Sequence, residues 1–322
     1  MSDGAAFEFY DLKPSDSAVL EDVLAGLTAT PKRVSPKFFY DERGSKLFEA
    51  ITELPEYYPT RTELAVLGAC LPAMREMLGS GWCLVEYGAG TARKVRKLLE
   101  VLQPAVYLPV DISAEHLRDQ SRELHADFPW LEVYPTGADF TSAFELPAVV
   151  AELTKVGFFP GSSIGNFEPA GAKAFLENVA RTLGPGGYLI IGIDRKKDVR
   201  VLEAAYNDAQ GVTAQFNLNV LNHLNELVGS DFDTVRFTHR AHYDERMGCI
   251  QMFVKSKTTQ RVRIGSTVIG LEAGELIHTE NSYKYHVDDF IELASTAGFR
   301  GVDAWSDTRD YFSVLLLRVA SA

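Results

Sequence analysis

The stretch "WCLVEYGAGT", residues 82–91, decides the fold. Its first half is apolar apart from Glu86 and reads as a buried strand. Its second half is small and glycine-rich, and "ARKVRKLLEVL" (92–102) follows with helical spacing. A buried strand, a tight turn and a helix make the opening of a parallel α/β unit. Gly88 and Gly90 would let the backbone approach a ligand there, with the N–H groups of the next helix facing it.

Working outward, the same alternation recurs. "RTELAVLGACLPAMREML" (61–78) precedes the strand with helical spacing. After it come a strand at 105–113, a helix at 114–128, a strand at 131–140 and a strand at 155–167 that runs into a loop. A helix at 171–183, stopped by "GPGG", and a strand at 188–194 complete the series. Such a series predicts a parallel sheet with helices on both faces. After residue 195 the pattern changes to two helices, at about 197–208 and 216–228, and then to long alternating segments at 233–243, 249–260, 261–271 and 278–286. These read as an antiparallel meander. A helix at 288–299 follows, and "YFSVLLLRVA" (311–320) is apolar enough to return to the main sheet. The expected division is 61–195 with 287–322 as an α/β domain, and 1–60 with 196–286 as a second, α+β domain with antiparallel strands.

The chain has 322 residues, 46% hydrophobic and 24% charged, which is a globular composition. Its formal net charge of −12 argues against a phosphate-backbone binder, so no nucleic-acid partner is expected. No apolar run has the length to span a bilayer, and the N-terminus lacks a basic segment followed by an apolar one. The expectation is a cytoplasmic monomer with no membrane partner. Cys70, Cys83 and Cys249 are scattered, without a C-x-x-C pair, and read as buried thiols of a reducing compartment.

The glycine turn alone is weak evidence for a ligand. A dinucleotide fingerprint wants a third glycine where this chain has Arg93. The E-x-G-x-G of Glu86, Gly88 and Gly90 resembles instead the first motif of S-adenosylmethionine-dependent methyltransferases. The next strand ends at Asp111, placed to grip ribose hydroxyls; its other reading is a cap for the helix that follows, a job Ser113 could do instead. The third strand ends in "GADF", where Asp139 could accept from an adenine amino group and Phe140 could lie against the ring. Three acids at three successive strand ends point to the crevice where α/β sheets bind ligands.

At "SPKFFYDERGSKLFEAITELPEYYPTRTE" (35–63) the sequence becomes far more specific. Together with "YGAGTARK", "PGSSIGNF", "AYNDAQGVTAQFN" and "HTENSYKYH", it closely resembles the histidine Nα-methyltransferase family of ergothioneine biosynthesis, from about residue 17 to the end. The resemblance implies a Rossmann-like class I methyltransferase domain plus a substrate domain. It implies three methyl transfers from S-adenosylmethionine to the α-amino group of L-histidine, giving hercynine and S-adenosylhomocysteine. Carried over position by position, the cofactor contacts fall on Tyr57, Gly88, Lys94, Asp111, Asp139 and Phe140. The substrate contacts fall on Tyr40, Tyr57, Gly161, Asn166, Tyr206, Met252, Glu280 and Ser282. Glu280 and Ser282 would read the two imidazole nitrogens, Asn166 and Tyr206 would hold the backbone end of the amino acid, and Tyr40, Tyr57 and Asn166 would bear on the reacting amine.

Elementary chemistry agrees with part of this. A carboxylate and a hydroxyl two apart on a strand point the same way, so Glu280 and Ser282 can form one pincer. Met252 offers soft packing to a ring, and Tyr40, Tyr57 and Phe48 offer faces to a growing cation. "HTENSYKYH" (278–286) has no aliphatic residue, and a polar substrate would explain that. A metal is not expected, because His278 and His286 would lie roughly 26 Å apart on an ideal strand. Two other readings remain: a relative acting on another amino acid, such as tryptophan or a modified histidine, and a non-catalytic S-adenosylmethionine-binding module. A buried carboxylate suits an indole poorly.

Overall fold

The computed structural model describes residues 6–12, 16–90, 92–141 and 144–320. Thr91, part of the glycine-turn motif, lies outside them. The chain divides into two compact units: Met1–Lys13 with Pro59–Lys196 and Tyr285–Ala322, and Pro14–Tyr58 with Lys197–Lys284.

In chain order, β1 (Tyr10–Asp11) of the first unit precedes α1 (Asp16–Thr28), β2 (Lys32–Arg33) and α2 (Glu42–Thr52) of the second. The first unit continues with α3 (Pro59–Leu78), β3 (Cys83–Tyr87), α4 (Arg93–Leu102), β4 (Val106–Asp111) and α5 (Ala114–Asp127). Then come β5 (Glu132–Val133), β6 (Thr136–Gly137), β7 (Lys155–Phe159), α6 (Pro169–Leu183) and β8 (Tyr188–Asp194). The second unit resumes with α7 (Val199–Tyr206), α8 (Val212–Val228), β9 (Phe237–Asp244) and β10 (Cys249–Ser256). It ends with β11 (Gln260–Ile264), β12 (Thr267–Leu271) and β13 (Leu276–Tyr283). The first unit closes with α9 (Val287–Ser295), β14 (Phe299–Ser306) and β15 (Phe312–Val319).

The first unit is built on one sheet in the order β1-β6-β4-β3-β7-β8-β15-β14, with β5 also beside β4. Pairing is parallel from β1 to β8, whereas β15 runs antiparallel to β8 and β14 antiparallel to β15. The central strands are buried on both faces, which is why they read as nearly continuous apolar runs. Cys83, Val85 and Tyr87 join one core cluster with Phe175 and Leu176 of α6. Leu84 joins another with Leu67 of α3 and Leu98 of α4. Alternation along β3 thus feeds both layers.

Several expectations change. The strand expected at 131–140 is two two-residue pieces, β5 and β6. The exposed edge strand β14 carries little apolar signal and was not expected. Residues 1–60 do not all join the second unit, because Tyr10 and Asp11 pair through backbone with Thr136 and Gly137. The segment 261–271 is not one strand but the hairpin β11–β12, turned at Gly265. Nor is the second unit a simple meander. Its main sheet runs β2-β13-β10-β9, with β13 antiparallel to β10, and the hairpin forms a sheet of its own.

All three cysteines are free and buried, and burial pushes the Cys70 and Cys83 thiols up to about 12. No helix among the described residues is long and apolar enough to cross a membrane.

Candidate active site

In the first unit, chain order reverses direction across the sheet between β3 and β7. Ligands of open α/β sheets bind at such a switch point, beyond the carboxyl ends of the strands. Gly88, Asp111, Asp139, Phe140 and Gly161 all follow or close strands at that end. Gly88 has φ +75, a conformation L side chains rarely adopt, and an added Cβ would meet the Phe140 ring at 3.4 Å. Phe140 therefore lies against the glycine turn, edge-on to Phe159 and Phe175. Gly88 and Ala89 donate their N–H groups to Val110, at 2.8 and 3.2 Å, and Gly90 donates to Gly88. The turn thus opens to a ligand through its missing side chains rather than through these N–H groups.

The three acids play different parts. Glu86 points into the core, where Tyr107 donates to it at 2.5 Å and burial pushes its carboxyl up to about 8. It is a structural acid. Asp111 accepts from the Ser113 N–H at 2.8 Å, and burial raises its carboxyl above the usual range. Asp139 accepts from the N–H and hydroxyl of Thr141, at 3.0 and 2.5 Å, through one oxygen. A turn of this kind fixes a carboxylate without using all its lone pairs, so Asp111 retains acceptor capacity for a ribose, and Asp139 is held just past the end of its strand beside Phe140. A bare glycine turn, an aromatic face over it and two acids at strand ends fit S-adenosylmethionine.

Lys94 carries a partner that its motif does not announce. Its ammonium pairs with Glu63 of α3 at 2.6 Å. The same carboxylate accepts from the Gly161 N–H at 2.9 and 3.0 Å. Gly161 has φ +79 and leads into the short helical turn Ser163–Asn166, which carries half-buried Asn166. Glu63, 1% exposed, was missed because it sits in an unremarkable helical repeat.

In the second unit, Asp41 caps α2 by accepting from Gly44 and is held by Asn219 of α8, at 2.7 and 2.8 Å. This fixes Tyr40 just before the helix. Tyr40, Phe48 and Tyr57 follow one another edge-on, and Tyr57 meets Tyr206 with ring centroids 6.4 Å apart. Tyr206 ends α7 and donates to Ser282 Oγ at 2.8 Å. Across the sheet, Met252 stands directly opposite Glu280, and Ile250 opposite Ser282. The structure therefore brings Tyr40, Tyr57, Tyr206, Met252, Glu280 and Ser282 into one continuous region.

The strand of Glu280 is polar yet buried on both faces. One face is satisfied by α8, where Asn217 accepts from Thr279 at 2.8 Å and donates to the Phe253 carbonyl at 2.9 Å. On the other, Lys284 donates to Ser282 Oγ at 2.7 Å and Tyr206 Oη at 3.1 Å. Glu280 is 8% exposed, and no hydrogen bond to its carboxylate is found among the described residues. Burial pushes it up to about 7 against the pull of the Lys284 ammonium. The Glu280 oxygens are not among the fully buried, unpartnered side-chain atoms, so the carboxylate of this nearly buried residue is open to water or a ligand. His278 contacts Asn281, and no group of three metal-binding side chains occurs among the described residues. Asn217 carried no sequence signal, since that residue type usually faces solvent, whereas the spacing of Lys284 already puts it on the strand face of Glu280 and Ser282.

A parallel sheet that reverses only at β15, with a glycine turn beside its switch point, is the Rossmann-like fold of class I methyltransferases, whose methyl donor is S-adenosylmethionine. A family profile described as "Histidine-specific methyltransferase, SAM-dependent" matches residues 19–319. The chain is 39% identical over 306 residues to histidine N-alpha-methyltransferase of Mycolicibacterium smegmatis, covering 93% of this chain and 94% of that one. It is 35% identical over 305 residues to histidine N-alpha-methyltransferase of Mycobacterium tuberculosis, with the same coverage. It is also 33% identical over 300 residues to ergothioneine biosynthesis protein 1 of Neurospora crassa, covering 89% of this chain and 33% of that longer one. The chain belongs to the histidine-specific, S-adenosylmethionine-dependent methyltransferase family.

Proposed function

We propose that this chain transfers three methyl groups, one after another, from S-adenosylmethionine to the α-amino group of L-histidine, giving hercynine for ergothioneine biosynthesis. The observation that carries the choice of histidine is Glu280, a carboxylate on an almost buried residue whose oxygens stay open to a ligand, on one strand face with Ser282. An imidazole supplies an N–H to it, and its other nitrogen meets the serine hydroxyl. Met252 packs against the ring.

In this reading Gly88, Lys94, Asp111, Asp139, Phe140 and Tyr57 hold the methyl donor. When bound, S-adenosylmethionine supplies a methyl group on a positive sulfur. Asn166, Gly161 and Tyr206 hold the backbone end of histidine. The protein's task is alignment, which can account for roughly 7–11 kcal/mol of barrier. In each round a nitrogen–carbon bond forms as a sulfur–carbon bond breaks. The amine reacts unprotonated, and its proton leaves to water before attack. A peptide α-amino group titrates at about 7.7–8.0, and the carboxylate beside it in free histidine raises that value, so the site must take the amine in its minor, unprotonated form. The aromatic row of Tyr40, Phe48 and Tyr57 offers faces to the cation that grows at nitrogen.

Calorimetry with S-adenosylhomocysteine present tests the assignment. L-histidine binds the wild type, and Glu280→Ala weakens that binding by at least about tenfold while cofactor affinity stays within about twofold. Equal losses for both ligands would make the strand merely structural.

A further inference from the structure

Lys284 is 2% exposed, yet the reading above gives it no role. Its ammonium lies 5.0 Å from the centroid of the Tyr206 ring and donates to both Ser282 Oγ and Tyr206 Oη. Tyr206 in turn donates to Ser282. A serine hydroxyl has one proton and two lone pairs, and an ammonium has only donors. Lys284 takes one lone pair of Ser282 and Tyr206 takes the other. Ser282 is left to address a ligand as a donor. Were Tyr206 to turn its proton elsewhere, Lys284 would still hold one lone pair of each hydroxyl.

The same ammonium lies on the strand face of Glu280, four residues on, and pulls its carboxyl down against burial. A carboxylate alone would draw a proton onto an imidazole and favour the cation. With Lys284 beside it, that preference is offset, and Glu280 remains an acceptor. Tyr243 of β9 also faces Lys284, and burial raises its phenol, so it adds no charge at pH 7.

We propose that Lys284 is a positioning residue that fixes the polarity of the pair, donor at Ser282 and acceptor at Glu280, so that the site takes the neutral imidazole of histidine. One ring N–H faces Glu280 and one bare ring nitrogen faces Ser282. A ring with two N–H groups, or with only one nitrogen, leaves a buried group unpaired. The inference rests on the assignment of this strand to imidazole.

The test uses the full-length protein, S-adenosylhomocysteine to prevent turnover, and L-histidine labelled with nitrogen-15 in the ring. At pH 7 the bound ring is expected to show one protonated and one bare nitrogen. Two protonated nitrogens would overturn the inference alone, whereas no histidine binding at all would overturn the underlying assignment and this inference with it. Affinity is also compared with pyrrol-2-ylalanine and pyrrol-3-ylalanine, which keep one ring N–H and replace the other nitrogen by C–H. In Lys284→Met the preference for histidine over the better pyrrole falls by at least about tenfold, with cofactor affinity unchanged. The wild-type preference persisting would overturn the role of Lys284. Lys284→Gln serves if the methionine variant does not fold, since it keeps a donor and loses the charge. It keeps Ser282 a donor and so retains the preference over the pyrroles at pH 7, while the lost charge makes its bound ring take up a second proton at a higher pH than in the wild type; an unshifted titration of the bound ring would contradict the charge-balancing role.

Discussion

Lys94 and Glu63 form an ion pair 2.6 Å long whose carboxylate is 1% exposed and also captures the Gly161 N–H. One acid thereby ties α3, the first turn of α4 and the turn after β7. Lys94→Met removes the countercharge and leaves Glu63 buried with a single amide donor. Breaking such a pair costs about 3 kcal/mol or more. Denaturant unfolding should show that loss, and the double variant Lys94→Met with Glu63→Gln should recover much of it. A double variant as unstable as Lys94→Met would contradict the pairing.

Gly88→Ala is expected to act on the cofactor before it acts on the fold. The substitution adds a Cβ where φ is +75 and presses it toward Phe140 at 3.4 Å. A left-handed L residue costs roughly 1–2 kcal/mol, and the displaced ring is the proposed adenine face. S-adenosylhomocysteine affinity measured by calorimetry should fall at least about tenfold, with a loss of stability no larger than that strain. Unchanged affinity would remove Gly88 and Phe140 from the cofactor site.

The aromatic row predicts which methylations suffer. Tyr57 touches Phe48 and Tyr206 through its ring. Tyr57→Leu removes a face worth about 0.5–2 kcal/mol to a cation and should make monomethyl and dimethyl products accumulate. Tyr57→Phe keeps the face and should keep the product ratio, so its rate isolates the hydroxyl. Unchanged rate and ratio in Tyr57→Phe would exclude any part for that hydroxyl. Product ratios over time, read by mass spectrometry, decide both.

Three carboxyls are raised by burial in the ligand-free protein, Glu86, Glu280 and Asp111, and all push its pH response the same way. Glu86 is pushed up to about 8 and Glu280 to about 7, both by burial, from an ordinary value of 4.5. Between those values the folded chain keeps protons that the unfolded chain has released, so stability falls as pH rises. His239, lowered by burial from 6.5, works the other way only below its ordinary value. From pH 6.5 to 8 the melting temperature should therefore fall, and Glu86→Gln should flatten most of that fall. For histidine binding the sign is reversed, because protonating Glu280 removes the acceptor. Affinity should weaken as pH drops below about 7, and Glu280→Gln should reduce that dependence to the part set by histidine's own imidazole, which titrates at about 6.5.

Much of the first unit could be read from the chain because its strands are buried on both faces. β3, β4, β7, β8 and β15 each carry a continuous apolar run, and each was expected near its true bounds. β1, β5 and β6 have two residues each and pair mainly through backbone, which leaves no side-chain periodicity. β14 is exposed over most of its length, and Gly265 alone breaks what reads as one strand into β11 and β12. At the candidate site, Glu280 and Ser282 stood out through the family resemblance, and their spacing on one strand face agrees with it. Glu63 and Asn217 did not, and Lys284 showed its strand face but not its partners, because a polar residue looks the same in sequence whether water or a buried partner satisfies it. Only the fold supplies Gly161 to Glu63, Thr279 to Asn217, and Ser282 with Tyr206 to Lys284.

The most direct measurement is the product itself. The protein is incubated with S-adenosylmethionine and each of the twenty amino acids in turn, and the mixtures are examined by mass spectrometry. Histidine alone should gain three methyl groups, passing through the monomethyl and dimethyl forms, with three equivalents of S-adenosylhomocysteine released. Histidine left unmethylated, or tryptophan methylated in its place, would contradict the account.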